Sequence, residues 1–205
     1  MERYFAINIG RQIGSGGHAV AQILSERMNI NMYDKNLLRN VSIQSGISEE
    51  CFQKADEESS RRSLRSILLS YLADGGMSKN YMSNEALFKI QSDVIRNIHQ
   101  QESCIFIGRC ADYILRDSSN IFNLFISASL ESRIEAVAKS HNCTTDKALQ
   151  IIDDADRKRA AYYNYYTGKK WGNSSSYHLC LDSSILGIEQ TANIIEQVST
   201  TLFGL

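Results

Sequence analysis

The stretch Tyr4–Met28 constrains this chain most. It reads YFAINIGRQIGSGGHAVAQILSERM. Tyr4, Phe5, Ala6, Ile7 and Ile9 form a short apolar run of the kind a buried parallel strand shows. Gly10, and then Gly14, Ser15, Gly16 and Gly17, supply a turn that permits positive φ and close backbone approach. Val20, Ile23, Leu24 and Met28 recur at helical spacing afterwards. A glycine-rich turn between a strand and a helix is a ready anion site. The first N–H groups of the helix have no intrahelical acceptor, and the helix dipole adds to the attraction. Phosphate is the expected guest.

Against the pattern G-x-x-x-x-G-K-[ST], the match is partial. With Gly14-Ser15-Gly16 as the core of the loop, Gly17 stands where the lysine belongs. His18 stands where Ser or Thr binds magnesium, and Arg11 falls at the leading glycine. The cradle is present and its lysine is not.

The rest of the chain alternates apolar strand runs with helical patterns. Asn31–Tyr33 reads as a second strand, ended by Asp34-Lys35. Helical patterns are expected from Leu37 to Gly46, from Ser48 and over Ala86–Ile98. A densely charged stretch at Asp56–Arg65 is followed by apolar Ile67, Leu68, Leu69, Tyr71 and Leu72, and Ala73–Asn84 is expected as an exposed loop. Cys104–Ile107, Ile121–Ile126 and Leu179–Asp182 read as further strands. Helices are expected over Leu130–Ser140, from Thr144 through about Tyr165, and over Ile188–Val198. Thr167–Gly172 reads as a mobile basic segment. Such alternation predicts an α/β fold with a parallel sheet covered on both faces. Ligands in such folds bind at the carboxyl ends of the strands, where Gly10–Gly17, Asp34 and Arg109 fall.

Composition narrows the function classes. A formal charge of -1 gives no net electrostatic case for nucleic acid or an anionic membrane. No apolar run approaches the length of a membrane span, and no secretory pattern opens the sequence, so a cytoplasmic location is expected. Cys51, Cys104, Cys110, Cys143 and Cys180 form no C-x-x-C pair, which argues against zinc and a disulfide framework.

Several motifs recur together: GSGG at 14–17, YDK at 33–35, GRCAD at 108–112, DADRKRA at 154–160, YYNYYTGKKWG at 162–172 and LCLDSSILGIEQT at 179–191. In order and spacing the chain resembles the bacterial cytidylate kinases, and more closely the cytidylate kinase-like group. The resemblance implies a three-layer α/β P-loop kinase fold in a single domain. The core would be 1–35 and 99–205, with a helical acceptor-binding insertion at about 36–98 and a lid at about 153–172. It implies phosphoryl transfer from ATP, with Mg2+, to a small acceptor, most naturally a nucleoside monophosphate such as CMP. A non-catalytic nucleotide-binding regulatory module and a kinase of another small metabolite are the alternatives.

The roles that go with this reading are specific. Gly14, Ser15, Gly16, Gly17 and His18 would hold the donor phosphates through their amides. Arg11 would supply the charge of the absent lysine. By resemblance, Asp34 faces the acceptor or the magnesium shell, Arg109 binds the acceptor monophosphate, and Asp156 sits with them. Arg157 and Arg159 would close over the transferred group, since phosphoryl transfer rests on positioning and charge neutralisation. Each residue also has a plainer reading. Asp34 can cap the helix that follows, and Arg109 can serve a structural ion pair. Asp153–Arg159 can be a solvated helix face laced with ion pairs. Tyr162, Tyr163, Tyr165, Tyr166, Lys169, Lys170 and Trp171 suit a base-stacking lid or a packed helix end equally. Arg133 resembles an arginine-bearing helix of the kinases. Two departures stand out: Cys110 replaces an aspartate of the family turn, and Ile152 replaces an arginine of cytidylate kinases.

Overall fold

In the computed structural model, which describes residues 4–36 and 84–205, five parallel strands form one sheet. They are β1 (Ala6–Arg11), β2 (Asn31–Tyr33), β3 (Cys104–Ile107), β4 (Ile121–Ser127) and β5 (Leu179–Asp182). Their order across the sheet is β2-β3-β1-β4-β5. The described helices are α1 (Gly17–Met28), α2 (Asn84–Gln101), the short α3 (Ala111–Ile114), α4 (Leu130–His141), α5 (Thr145–Thr167) and α6 (Ser183–Phe203). The chain divides into two units, Met1–Lys35 with Ile95–Leu205, and Asn36–Val94. The sheet lies in the first. The helices expected from Leu37 and from Ser48, and the loop before Asn84, fall outside the described residues.

β1 is central because it is apolar enough to be buried on both sides. Ile7 and Ile9 face a core of Ile105, Ile107, Phe122, Leu124 and Ile126, closed by Val20, Ala21 and Leu24 of α1 and by Ala192 and Ile195 of α6. On the opposite face of β1, Asn8 donates to Asn123 Oδ1 at 2.8 Å, a buried pair that ties β1 to β4. The chain leaves β1 toward β2 on one side, and later crosses from β3 to β4 on the other. That reversal opens a crevice at the carboxyl end of β1, the usual ligand position in open parallel sheets.

Local chemistry fixes the helix ends that frame this crevice. Gly16 caps α1 in the left-handed region at φ 71. Ser129 Oγ accepts from Ser132 N at the start of α4, and Asn142 ends that helix at φ 48. Thr144 Oγ1 then accepts from Lys147 N, so α4 and α5 form a hairpin sealed by Val137, Ala148 and Ile152. Two expected boundaries shift. Gly10 and Arg11 remain in β1, because β4 runs on beside them and pairs Gly10 with Phe125 and Arg11 with Ile126. The last helix starts at Ser183, since Asp182 Oδ1 accepts from Ser184 N at 2.9 Å, and a kink at Gly187 separates this turn from the long part. Thr167–Gly172 packs against β4: Trp171 meets the Phe125 ring edge-on at 5.2 Å, and Trp171 N donates to Asn164 Oδ1 at 2.8 Å.

Candidate functional site

The turn after β1 is built from close approaches that only glycine permits. At Gly14, φ 77, a Cβ would stand 2.8 Å from the Arg133 carbonyl of α4. At Gly16 it would meet Ile188 Cδ1 at 2.0 Å. Below the turn, Ser183 Oγ lies 2.7 Å from the Ser15 carbonyl and 3.0 Å from that of Ser127. Gln12 Oε1 accepts from Ala128 N at 3.3 Å. The turn is thus clamped by β4, α4 and α6. Among the described residues, nothing accepts a hydrogen bond from the N–H groups of Gly14, Gly16, Gly17 or His18. Those donors suit an anion. A groove of about 670 Å3 leads away from them between α1, α4 and the start of α6, lined by Gln22, Ser132, Ala136, Ser183 and Ile188 among others.

Arg11 leaves the end of β1 and crosses this turn. A Cβ on Gly17 would lie 2.8 Å from Arg11 Cβ, and one on Gly108 would lie 2.3 Å from Arg11 Nη1. The stem therefore covers the position where the loop pattern carries lysine, and the guanidinium reaches the end of β3. Burial, with Arg159 and Arg109 nearby, pushes the Arg11 pKa down to about 10, against the opposing pull of Asp34 and Asp156. Arg11, Arg109 and Arg159 thus lie near one another at this crevice, with Asp34 and Asp156 as opposing charges. His18 Nε2 lies 3.8 Å from Asp34 Oδ2 on its rim.

Asp156 and Arg159 reach the same place from α5, but toward the loop itself. Asp156 Oδ1 accepts from Ile13 N at 2.9 Å, and its Oδ2 accepts from Arg133 Nη1 at 2.5 Å. Arg133 is 9 % exposed in its side chain. Arg159 Nη1 donates to the Arg11 carbonyl at 3.2 Å and lies 3.7 Å from Asp156. Arg157 is not brought to the site. Its side chain is 74 % exposed and pairs with Asp154 on the outer face of α5.

Arg109 sits in a strained turn after β3. Gly108, Arg109 and Cys110 have φ of 72, 60 and 58. Each non-glycine residue there costs roughly 1–2 kcal/mol. Arg109 Cζ lies 4.5 Å over the Tyr162 ring, and Asp112 three residues on is buried and accepts from Tyr163 Oη at 2.7 Å. Burial raises the Asp112 pKa above the ordinary carboxylate range.

A glycine turn with open amides thus stands beside neighbouring arginines at the reversal of a parallel sheet. The sequence model of the Cytidylate kinase-like family matches residues 6–185. The chain belongs to that family. A cytidylate kinase from Sulfurisphaera tokodaii is 22% identical over 184 residues, 89% of this chain and 88% of that protein. An uncharacterized protein from Eubacterium ventriosum, solved by crystallography, superposes with a TM-score of 0.72 at 25% identity, over 95% of this chain and 98% of that one. A shikimate kinase from Bacteroides thetaiotaomicron superposes at 0.51 with 11% identity, over 98% and 99%, and shows the shared fold. The fold is that of the P-loop kinases: a parallel five-stranded sheet flanked by helices. Within the family pattern, Ile152 is a core residue, 1% exposed against Val137 and Ala148, and so offers nothing to a ligand. Arg133, marked in the sequence only by its likeness to an arginine-bearing helix of the kinases, finds its partners Ile13 and Asp156 far from it in the chain. No described helix is long and apolar enough to cross a membrane.

Proposed function

We propose that this chain transfers the terminal phosphoryl group of ATP to a small acceptor, a nucleoside monophosphate such as CMP. Family membership and fold support nucleotide-dependent phosphoryl transfer. The observation that carries the finer reading is the path of Arg11 over Gly17. The motif lacks its lysine, yet a cation from the neighbouring strand occupies the ground between the loop and the β3 turn. In the reaction an acceptor phosphate oxygen bonds to the γ-phosphorus while the bond to the bridging oxygen of ADP breaks. The amides of Gly14–His18 hold the donor phosphates. Arg11 and Arg159 offset charge on the transferring group, Arg109 and Asp34 address the acceptor, and Asp156 keeps the loop in place. Arg157 takes part only if α5 turns on ligand binding.

The residues fit a magnesium ion brought in by the nucleotide. Among the described residues there is no group of three or more metal-binding side chains, and Asp34 is a single carboxylate at the crevice. Magnesium is commonly held in that way, by one or two carboxylates plus substrate phosphates. When bound with ATP it neutralises phosphate charge. The domain reading goes with the function: a core of 1–35 and 99–205, an acceptor-binding insertion of about 36–98 and a lid of about 153–172.

One observation favours a different acceptor. Ile152 is buried where cytidylate kinases carry an arginine, which removes a polar contact from the acceptor side. The experiment is a screen of phosphoryl transfer from ATP and magnesium to nucleoside monophosphates and other small acceptors. Turnover with CMP supports the reading. Turnover only with a compound that is not a nucleotide replaces the acceptor, and transfer to nothing in the screen supports a non-catalytic nucleotide-binding module.

A further inference from the structure

Gly108, Arg109 and Cys110 form three consecutive left-handed residues. Such a turn holds its shape only where its surroundings over-determine it. Two adjacent tyrosines of α5 do this. Tyr162 lies under the Arg109 guanidinium, at 4.5 Å, and Tyr163 donates its hydroxyl to buried Asp112, at 2.7 Å. The second contact is itself braced. The Tyr163 ring stacks on Tyr177 at 6.1 Å, Tyr177 packs on Phe125 at 5.0 Å, and Tyr177 Oη accepts from Gly172 N at 3.4 Å. One turn of α5 therefore grips the cation of the β3 turn and, three residues later, its anchor.

We propose that the Asp112–Tyr163 bond is a positioning device for Arg109, fixing where its guanidinium meets the acceptor phosphate. This rests on the reading of Arg109 as an acceptor-phosphate ligand. Asp112 is buried and faces Tyr163, not the crevice groups Arg11 and Asp34, so it acts through the turn and touches no substrate. A buried carboxylate is an expensive way to hold a turn unless its geometry matters, because an uncharged pair could fill the same space.

The test compares Tyr163→Phe, Asp112→Ala and Asp112→Asn with the parent, using ATP, magnesium and the acceptor found in the screen. Tyr163→Phe and Asp112→Ala are expected to lower kcat/KM for the acceptor by about 10- to 100-fold, the scale of a misplaced binding group. The KM for ATP should stay unchanged. Asp112→Asn retains an acceptor for the Tyr163 hydroxyl and should recover most of the loss. Adding Tyr163→Phe to Arg109→Ala should cost nothing further, because both act through one guanidinium. Additive losses, or equal losses for ATP and acceptor, would overturn the proposal. A crystal structure of Tyr163→Phe gives a readout that needs no turnover. Arg109 displaced from the Tyr162 ring supports the device, and Arg109 unmoved refutes it. If the parent transfers to no acceptor, the functional reading fails separately, and the crystal structure alone decides the positioning role.

Discussion

Asp156 accepts the backbone N–H of Ile13 at 2.9 Å, so α5 holds the first residue of the glycine turn directly. The same carboxylate neutralises buried Arg133 of α4. Loop, α4 and α5 therefore meet in one carboxyl group.

Removing that group strands a buried guanidinium. Asp156→Ala is expected to destabilise the fold by about 3–5 kcal/mol, the usual cost of breaking a buried pair from one side. Replacing both partners, as Asp156→Leu with Arg133→Met, should recover most of it. Urea denaturation of the two variants beside the parent measures this. Equal losses in the single and double variants would show that the charge pair is not the cause.

Arg11 should trade stability for chemistry. Burial and two like-charged neighbours disfavour its cation, so Arg11→Met is expected to raise the melting temperature of ligand-free protein by about 2–4 °C, equivalent to ~1 kcal/mol in a chain of this size. Turnover should fall by about 10²-fold or more, as for other lost transition-state donors. Calorimetry and a kinase assay on the same preparation check both. A lower melting temperature with full turnover would make Arg11 an ordinary structural cation.

Swapping the two unusual loop positions tests their geometry. Gly17→Lys alone puts a Cβ 2.8 Å from Arg11 Cβ, and overpacking of this kind costs about 1–3 kcal/mol. Combining it with Arg11→Gly removes the obstacle and should restore stability. The double variant should also keep more turnover than Arg11→Gly. Thermal melts and rates of the single and double variants decide it.

Asp112 gives the pH dependence a definite sign. Its folded pKa is raised by burial, so between that value and the ordinary carboxylate range the folded state binds more protons than the unfolded one. Its contribution to stability therefore increases as pH falls through that window and levels off below the unfolded value. Asp112→Asn should remove this component. The difference in melting temperature between parent and variant, followed from neutral pH to pH about 4, is expected to shrink or reverse as pH falls.

Much of this was legible in the sequence, for local reasons. Ile7 and Ile9, Ile105 and Ile107, and Leu124 and Ile126 form apolar runs that glycine or polar residues end, and each proved to be a strand. Thr144, an N-cap followed by an acid, marked the start of α5. What could not be read depended on partners distant in sequence. Gly10 looks like the start of a turn until Phe125 is seen beside it in the sheet. Thr167–Gly172 looks free until Phe125 and Tyr177 are seen under Trp171 and Gly172. Asp156 and Arg157 are adjacent in a charged run, and nothing local says that one turns in to Ile13 while the other turns out to solvent.

Arg11 is part of a strand, and that has a mechanical consequence. A lysine on a glycine loop rides with the nucleotide and can adjust its reach. A cation rooted at the end of a hydrogen-bonded central strand starts from a fixed point. Its backbone is held beside Ile126 of β4, and its stem is confined between Gly17 and Gly108. Donor and acceptor would then meet around a charge whose anchor belongs to the sheet and not to the loop.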